Sequence, residues 1–520
     1  MKKRILSVLV AIAMLAGAVT MTTISTGAVM RDITTAELVK DMELGINLGN
    51  TFESTINYKE VGTDTDWIRR WGEGTVNAFE TAWGSPTITK AMIDGYKAAG
   101  FKTVRIPVAW SNRMGGNYTI CPDYTARIKQ VLDWVLGNDM YAIINIHWDG
   151  GWWEEFPTDF GESMRRYTRL WEQIADEFKD YDDYLLFESA NEELGWDSLW
   201  QPWTAASAGK TRSYEITNAI NQKFIDIVRA SGGNNPQRHV LIAGYQTDVD
   251  RTVDSLFVMP TDPKNRMAVK VHYYDPFGFT HLERNESWAT MTMTWGTSAE
   301  ISHLNTQMNK LKTRFIDNGI PVVIGEYGFA SNLRRTEFEI RNYTLAVTRA
   351  MFELGMCPIL WDVQQESDRY YYNRLVAGFT DSLLVEGMRA IARGDTPVNT
   401  TPTTTATTVT TTTPPTTTTV PTTTGVTTGG SPTAPTSTTT TTTVPTTTTT
   451  TTVTTTTPPT TTTVTTTKPP EPPMPTIHDA LEILKQLAGL SNTAPSGSNI
   501  HDALEILKFL AGLPYKFRIY

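Results

Sequence analysis

Two rhythms of apolar positions run along the chain between Met30 and Asp395. Short apolar runs recur at Leu44–Leu48, Thr103–Val108, Ala142–Ile146, Tyr184–Phe187, Val240–Ala243, Ala268–Val271, Val322–Ile324 and Pro358–Leu360. Runs of this length, rich in Val and Ile, read as buried strands. Between them lie segments with apolar residues three and four apart, at Ile88–Ala99, Tyr124–Leu136, Met164–Phe178, Tyr214–Ala230, Ser302–Asn318 and Glu337–Glu353. These read as amphipathic helices. Eight strands with helical crossovers between most of them predict an α/β fold, a (β/α)8 TIM barrel with long loops. A doubly wound open sheet is the structural alternative.

The polar residues are informative at the strand ends. Arg105 sits in "FKTVRIPVAW", and His147, Trp148 and Asp149 close "AIINIHWD". "LLFESANEE" ends in Asn191, Glu192 and Glu193; "AVKVHYY" carries His272 and leads to Tyr274; "PVVIGEYG" carries Glu326; "CPILWD" ends in Trp361 and Asp362. In a (β/α)8 barrel these C-terminal strand ends converge on one face, where such enzymes place their active sites. One such ending is a solvated turn; six together point to a site.

Both ends of the chain have other characters. Lys2, Lys3 and Arg4 precede an apolar run, Ile5–Val19, with Thr26 and Ala28 at −3 and −1 of a cleavage site. This predicts a secretory signal over 1–28, and therefore a secreted, extracellular protein. Residues 29–395 form the expected catalytic domain. Residues 396–473 are almost wholly Thr and Pro, which cannot build a core, and are expected to be a disordered linker. Extended as polyproline, it would reach about 240 Å. Residues 474–520 hold a duplication, "TIHDALEILKQLAGL" and "NIHDALEILKFLAGL", with Ile477 and Ile500 equivalent. Its apolar spacing predicts a small C-terminal helical hairpin.

Composition narrows the class. Lys and Arg number 45 against 55 Asp and Glu, a net charge of −10 that argues against a nucleic-acid binder. All 15 Trp precede residue 362. The two cysteines, Cys121 and Cys357, either pair or stand as buried thiols, and no Cys/His cluster has zinc spacing.

Two carboxylates facing each other across a barrel mouth are what retaining glycoside hydrolysis requires. One attacks the anomeric carbon; the other donates a proton to the leaving oxygen and then takes one from water. Glu192 and Glu326 are the candidates, with Arg105 as a cation favouring the ionised partner. Asn191 is placed to hold a sugar 2-hydroxyl. Glu193 is expected to point away and pair with a surface cation.

The stretches "GINLGNTFE", "VRIPVAW", "INIHWDGGW", "FESANEE", "VHYYDPFGF", "VVIGEYG" and "ILWD" resemble, in this order, the endoglucanases of glycoside hydrolase family five. The resemblance covers Leu44 to Asp362. It implies a barrel that hydrolyses β-1,4-glucans with retention, needing no metal or cofactor, with Glu192 as acid/base and Glu326 as nucleophile. It implies a substrate-binding shell of Arg105, His147, Asn191, His272, Tyr274 and Trp361. The pattern departs at Trp148, where many relatives carry a second His. Taken singly, His147 has a lesser reading as a core histidine and Tyr274 and Trp361 as packing, while a Trp at a barrel mouth suits the apolar face of a glucose ring. Among Trp71, Trp152, Trp153, Trp196, Trp200, Trp203, Trp288 and Trp295, some should stack on sugar and others belong to the core.

The duplication resembles a dockerin, a module that docks enzymes onto a scaffold. Its calcium loops would carry Asp or Asn at alternate positions. Here those places hold "PEPPMP" and "APSGSN", so a metal-free hairpin with a scaffold or cell-surface partner, or a dimerising hairpin, is expected. For the barrel, a xyloglucanase, lichenase, mannanase or xylanase is the alternative within the chemistry. A carbohydrate-binding protein on a dead barrel is the alternative outside it.

Overall fold

A computed structural model describes residues 29–55, 74–329, 335–364 and 370–395. The expected signal, linker and duplicated module lie outside the described residues, as does Trp71.

The eight barrel strands are β1 (Gly45–Asn47), β2 (Thr103–Ile106), β3 (Tyr141–Asn145), β4 (Leu185–Glu188), β5 (Val240–Ala243), β6 (Met267–Tyr273), β7 (Val322–Tyr327) and β8 (Cys357–Leu360). All pair in parallel, in the closed order β1–β8–β7–β6–β5–β4–β3–β2. The open sheet is thereby excluded. The major helices are α1 (Thr35–Asp41), α2 (Lys90–Ala98), α3 (Pro122–Leu136), α4 (Phe160–Glu177), α5 (Lys210–Ala230), α6 (Ser298–Arg314), α7 (Glu337–Phe352) and α8 (Ser382–Ala392). Only the short helix Val249–Thr252 bridges β5 and β6.

Strand alternation sorts the side chains into two cores. Outward residues such as Phe187, Val240, Ile242, Val269 and Ile324 join the shell packed against the helices. Trp171 of α4 lies there between Phe187 and Phe224, at centroid distances of 5.7 and 4.6 Å. Inward residues Tyr141, Ile143, Leu186, Leu241, Ala268, Val323, Cys357 and Ile359 form a separate apolar cluster with Leu38, Val39 and Met42. Helix α1 supplies Leu38 and Val39, so a seven-residue helix closes the floor. Thr34 and Glu37 cap its start reciprocally. Each aliphatic side chain buried here contributes about 1.5–3 kcal/mol.

Strands β6 and β7 outrun their apolar stretches. His272 and Glu326 remain in the ladder, paired with each other after a register shift at Gly325. Inward polar residues continue a strand here because they satisfy one another across the barrel. The cysteines do not pair: Cys357 lies in the floor and Cys121 is a free, half-buried thiol.

Candidate active site

Above the apolar floor, the next inward positions are polar: Asn47 of β1, Arg105 of β2, Asn145 of β3, Glu188 of β4 and Lys270 of β6. All are essentially inaccessible to solvent. Arg105 is at the centre. Its Nε and Nη2 donate to Glu188 Oε2 and Oε1, both at 2.7 Å. Its Nη1 donates to Glu326 Oε1 at 2.8 Å and Asn47 Oδ1 at 3.0 Å. Nη2 also donates to Asn191 Oδ1 at 2.8 Å. All five N–H groups are used, so the guanidinium has one available pose. Burial alone would raise the Glu188 carboxyl, but Arg105 and Lys270 outweigh it and hold the group at about 2.

The mouth forms one layer higher. Glu192, His272 and Glu326 come together: one carboxylate oxygen from each Glu and a ring nitrogen of His272 all lie within 4.8 Å of one another. His272 Nδ1 is 2.6 Å from Glu192 Oε1 and 3.5 Å from Glu326 Oε2. The Tyr274 hydroxyl donates to Glu326 Oε2 at 3.0 Å. Asn145 Nδ2 lies 3.4 Å from His147 Nδ1 and donates to Glu188 Oε1 at 3.0 Å. The His147 ring lies parallel to Trp361, 6.3 Å between centroids. Burial, then the Arg105 charge, hold His147 well below the ordinary histidine range, so it is neutral.

The two carboxyls have unequal surroundings. Burial pushes both up, and each opposes ionisation of the other. Glu326 is pulled back by Arg105 and by its bond from Tyr274. Glu192 has only His272 and is pushed to about 8 by burial, then by the charges of Glu326 and Glu193. Half of its side chain faces the open cleft, where water tempers the shift until substrate displaces it. Of the two, Glu192 is thus held further toward its protonated form, and Arg105 favours the ionised form of Glu326.

The cleft of about 480 Å³ is lined by all the expected residues except Arg105, which lies beneath it, and extends past Gln246, Asp248 and Asp250 to Phe277 and His281. Phe277 stacks on His281 at 4.2 Å with an interplanar angle of 3° and is partly exposed. The indoles divide sharply. Trp152, Trp153, Trp196 and Trp295 are buried, and the first three donate to Asp149, the His147 carbonyl and the Trp153 carbonyl. Trp200 is half-buried, Trp203 and Trp288 are exposed, and Trp361 lines the cleft.

Glu193 differs from expectation. Among the described residues it pairs with no surface cation: Asn191 Nδ2 reaches its Oε1 at 3.4 Å, and its buried Oε2 has no hydrogen-bond partner there. Burial pushes it to about 7. Asn47, Asn145, Glu188 and Lys270 were not foreseen as part of the site. Two of them stand two residues before a foreseen strand-end position: Asn145 before His147 and Lys270 before His272. Period-two alternation alone assigns them to the same inward face.

A closed parallel barrel with two close, unequally held carboxyls at its mouth defines a glycoside-hydrolase architecture. Residues 62–367, more than half of the chain, match the cellulase family, glycosyl hydrolase family 5. The chain is 35% identical over 355 residues to a xyloglucan-specific endo-β-1,4-glucanase of Bacteroides ovatus, covering 64% of this chain and 66% of that one. It is 34% identical to endoglucanase A of Paenibacillus barcinonensis, covering 65% and 84% respectively. Among solved structures, a GH5-4 broad-specificity endoglucanase from an uncultured bovine rumen ciliate superposes with a TM-score of 0.61 at 32% identity. That match covers 70% of this chain and 99% of the other. The chain belongs to glycosyl hydrolase family 5.

Proposed function

We propose that the protein is a secreted endo-β-1,4-glucanase that cleaves internal glucosidic bonds with retention, Glu326 acting as nucleophile and Glu192 as acid/base. The observation that carries this reading is the unequal holding of two close carboxyls. In the first step a Glu326 oxygen bonds to the anomeric carbon, the glycosidic C–O bond breaks, and the Glu192 proton passes to the leaving oxygen. In the second, Glu192 takes a proton from water, the water oxygen bonds to the same carbon, and Glu326 is released. Arg105 orients the Asn191 amide by binding its oxygen, leaving Nδ2 to meet the sugar 2-hydroxyl. The face of Trp361 supports the glucose ring at the reacting position.

The carboxyl spacing suits retention, for which about 5–5.5 Å is usual, rather than the roughly 6.5–9.5 Å that admits an inverting water. Proton NMR of the first-formed product tests it: β anomer is expected, and an initial α product overturns the mechanism. Xyloglucan hydrolysis is a second reading, favoured by the 35% identity to the Bacteroides enzyme. A reducing-sugar assay across cellulose, mixed-linkage glucan, xyloglucan, xylan and mannan ranks these. The layout completes the proposal: a signal over 1–28, a catalytic domain over 29–395, a Thr/Pro tether over 396–473, and a duplicated module over 474–520 that attaches to a scaffold or cell surface.

A further inference from the structure

We propose that Lys270 is a positioning residue that fixes the His272 tautomer and, through it, places the transferable proton of the acid on Oε2 of Glu192. The inference rests on the reading of Glu192 as acid. Lys270 Nζ faces three acceptors: Glu188 Oε1 at 3.0 Å, the Asn191 carbonyl at 3.1 Å and His272 Nε2 at 3.2 Å. An ammonium has three N–H donors and no lone pair. It is therefore satisfied by these three atoms only if His272 Nε2 accepts. A neutral imidazole that accepts at Nε2 carries its proton on Nδ1.

That Nδ1–H points at Glu192 Oε1, 2.6 Å away. A carboxyl oxygen accepting this bond does not also present its own proton to the same nitrogen. The acid proton is left to Oε2, on a side chain half exposed to the cleft where the leaving oxygen must sit. The opposite tautomer would accept the acid proton at Nδ1 and bury it away from substrate.

Burial lowers Lys270, the Glu188 and Glu326 charges oppose that shift, and charge balance selects the ammonium. Arg105 and Lys270 offset ionised Glu188 and Glu326, with Glu192 protonated; a neutral Lys270 would leave a buried surplus of negative charge. The charged and titratable groups facing His272 are Lys270 on its own strand, Glu192 from beyond β4, Glu326 from β7, Arg105 from β2 and His147 from beyond β3. Burial and the two cations hold the ring well below the ordinary histidine range, so it stays neutral. Gly325 makes room for this arrangement. A Cβ there would lie 2.7 Å from Lys270 Cδ and 3.1 Å from His272 Nε2.

Nitrogen-15 NMR of the histidine-labelled full chain reads the tautomer directly. There are seven histidines, and His272 is assigned by its loss in His272→Gln. A protonated Nδ1 and a lone-pair Nε2 are expected between about pH 5 and 8. A protonated Nε2, or an imidazolium, overturns the proposal. This measurement on the wild type decides even where a variant does not fold. Kinetics give a second readout. Lys270→Met should lower turnover of unactivated cello-oligosaccharides by about tenfold or more, because the acid proton is misplaced. The kcat/KM for a dinitrophenyl cellobioside, which reports the first step and whose leaving group needs no proton, should change little. Lys270→Gln, which keeps a donor for Nε2, should recover part of the loss. Equal losses on both substrates overturn the role of Lys270. Glu192→Ala separates the two readings in the first step, read as kcat/KM: if it lowers kcat/KM equally for both substrates, the acid assignment fails even with the tautomer as stated.

Discussion

The floor and the mouth of the barrel are built from the same eight strands, yet each buries charge in its own way. The floor is apolar, with Ile143, Leu186, Leu241, Val323 and Ile359 closed by Leu38 and Val39. Near that end, just before β5, the Arg238 guanidinium is held by backbone carbonyls, among them those of Phe178, Tyr181, Asp182 and Leu185. At the mouth, Arg105 is equally buried but meets Glu188 and Glu326. Burial pulls Arg238 down to about 9, whereas at Arg105 the two carboxylates outweigh the same burial and push it up. One arginine ties loops together with neutral acceptors. The other is the counter-charge of the proposed nucleophile. Moving two residues up a strand, from Ile143 to Asn145 or from Ala268 to Lys270, changes the role from filling space to preparing charge.

The largest effect should come at the mouth. Glu326→Gln keeps the shape of the side chain and removes the nucleophile, so turnover of soluble glucan should fall by about 10⁴-fold or more. Oligosaccharide binding, measured by calorimetry, should persist because Trp361 and Asn191 are untouched. Turnover near wild type would sink the assignment.

The floor should behave in the opposite way. Arg238→Met removes the donor shared by at least four backbone carbonyls, those of Phe178 and Leu185 in buried bonds, and should cost on the order of 2–5 kcal/mol of stability, seen in denaturant unfolding. Below its melting temperature the variant should retain kcat/KM within a few-fold, since Arg238 reaches nothing in the cleft. A large loss of activity with unchanged stability would erase the distinction between the two ends.

Much of this division was legible in the sequence. Short Val/Ile runs located all eight strands, and the polar strand ends identified the mouth, because alternation and strand length carry both signals. The buried charge layer was not. Glu188 and Lys270 lie inside "LLFES" and "AVKVH", where a lone charge reads as the solvated side of a strand. Alternation puts Lys270 on the face of His272, but only the closed barrel supplies Arg105 to Glu188 and Glu188 to Lys270, and so lets these charges be buried. The indoles failed for a related reason. Trp152 and Trp153 sit in a loop, yet that loop folds under itself, and they stack on each other at 4.5 Å inside the core.

Glu193 offers the finest division within the mouth. Expected to be a surface charge, it is a half-buried side chain with a buried Oε2 beside the proposed acid, and burial pushes it to about 7. Its charge is one of the terms that raise Glu192 toward about 8, after burial and Glu326. The sign follows directly. Glu192 acts in its protonated form, so a raised value extends activity to higher pH. Above about pH 7 Glu193 ionises, and its negative charge opposes loss of the Glu192 proton. Glu193→Gln removes that charge while keeping the size of the side chain. The alkaline limb of kcat/KM should therefore move to lower pH, by less than about one unit, since burial and Glu326 still act. The acid limb, which follows ionisation of Glu326, should move little. A limb unmoved or displaced upward would show that Glu193 does not act on Glu192 through charge. A uniform fall in kcat at every pH would mark it instead as a prop for Asn191, whose amide it accepts at 3.4 Å.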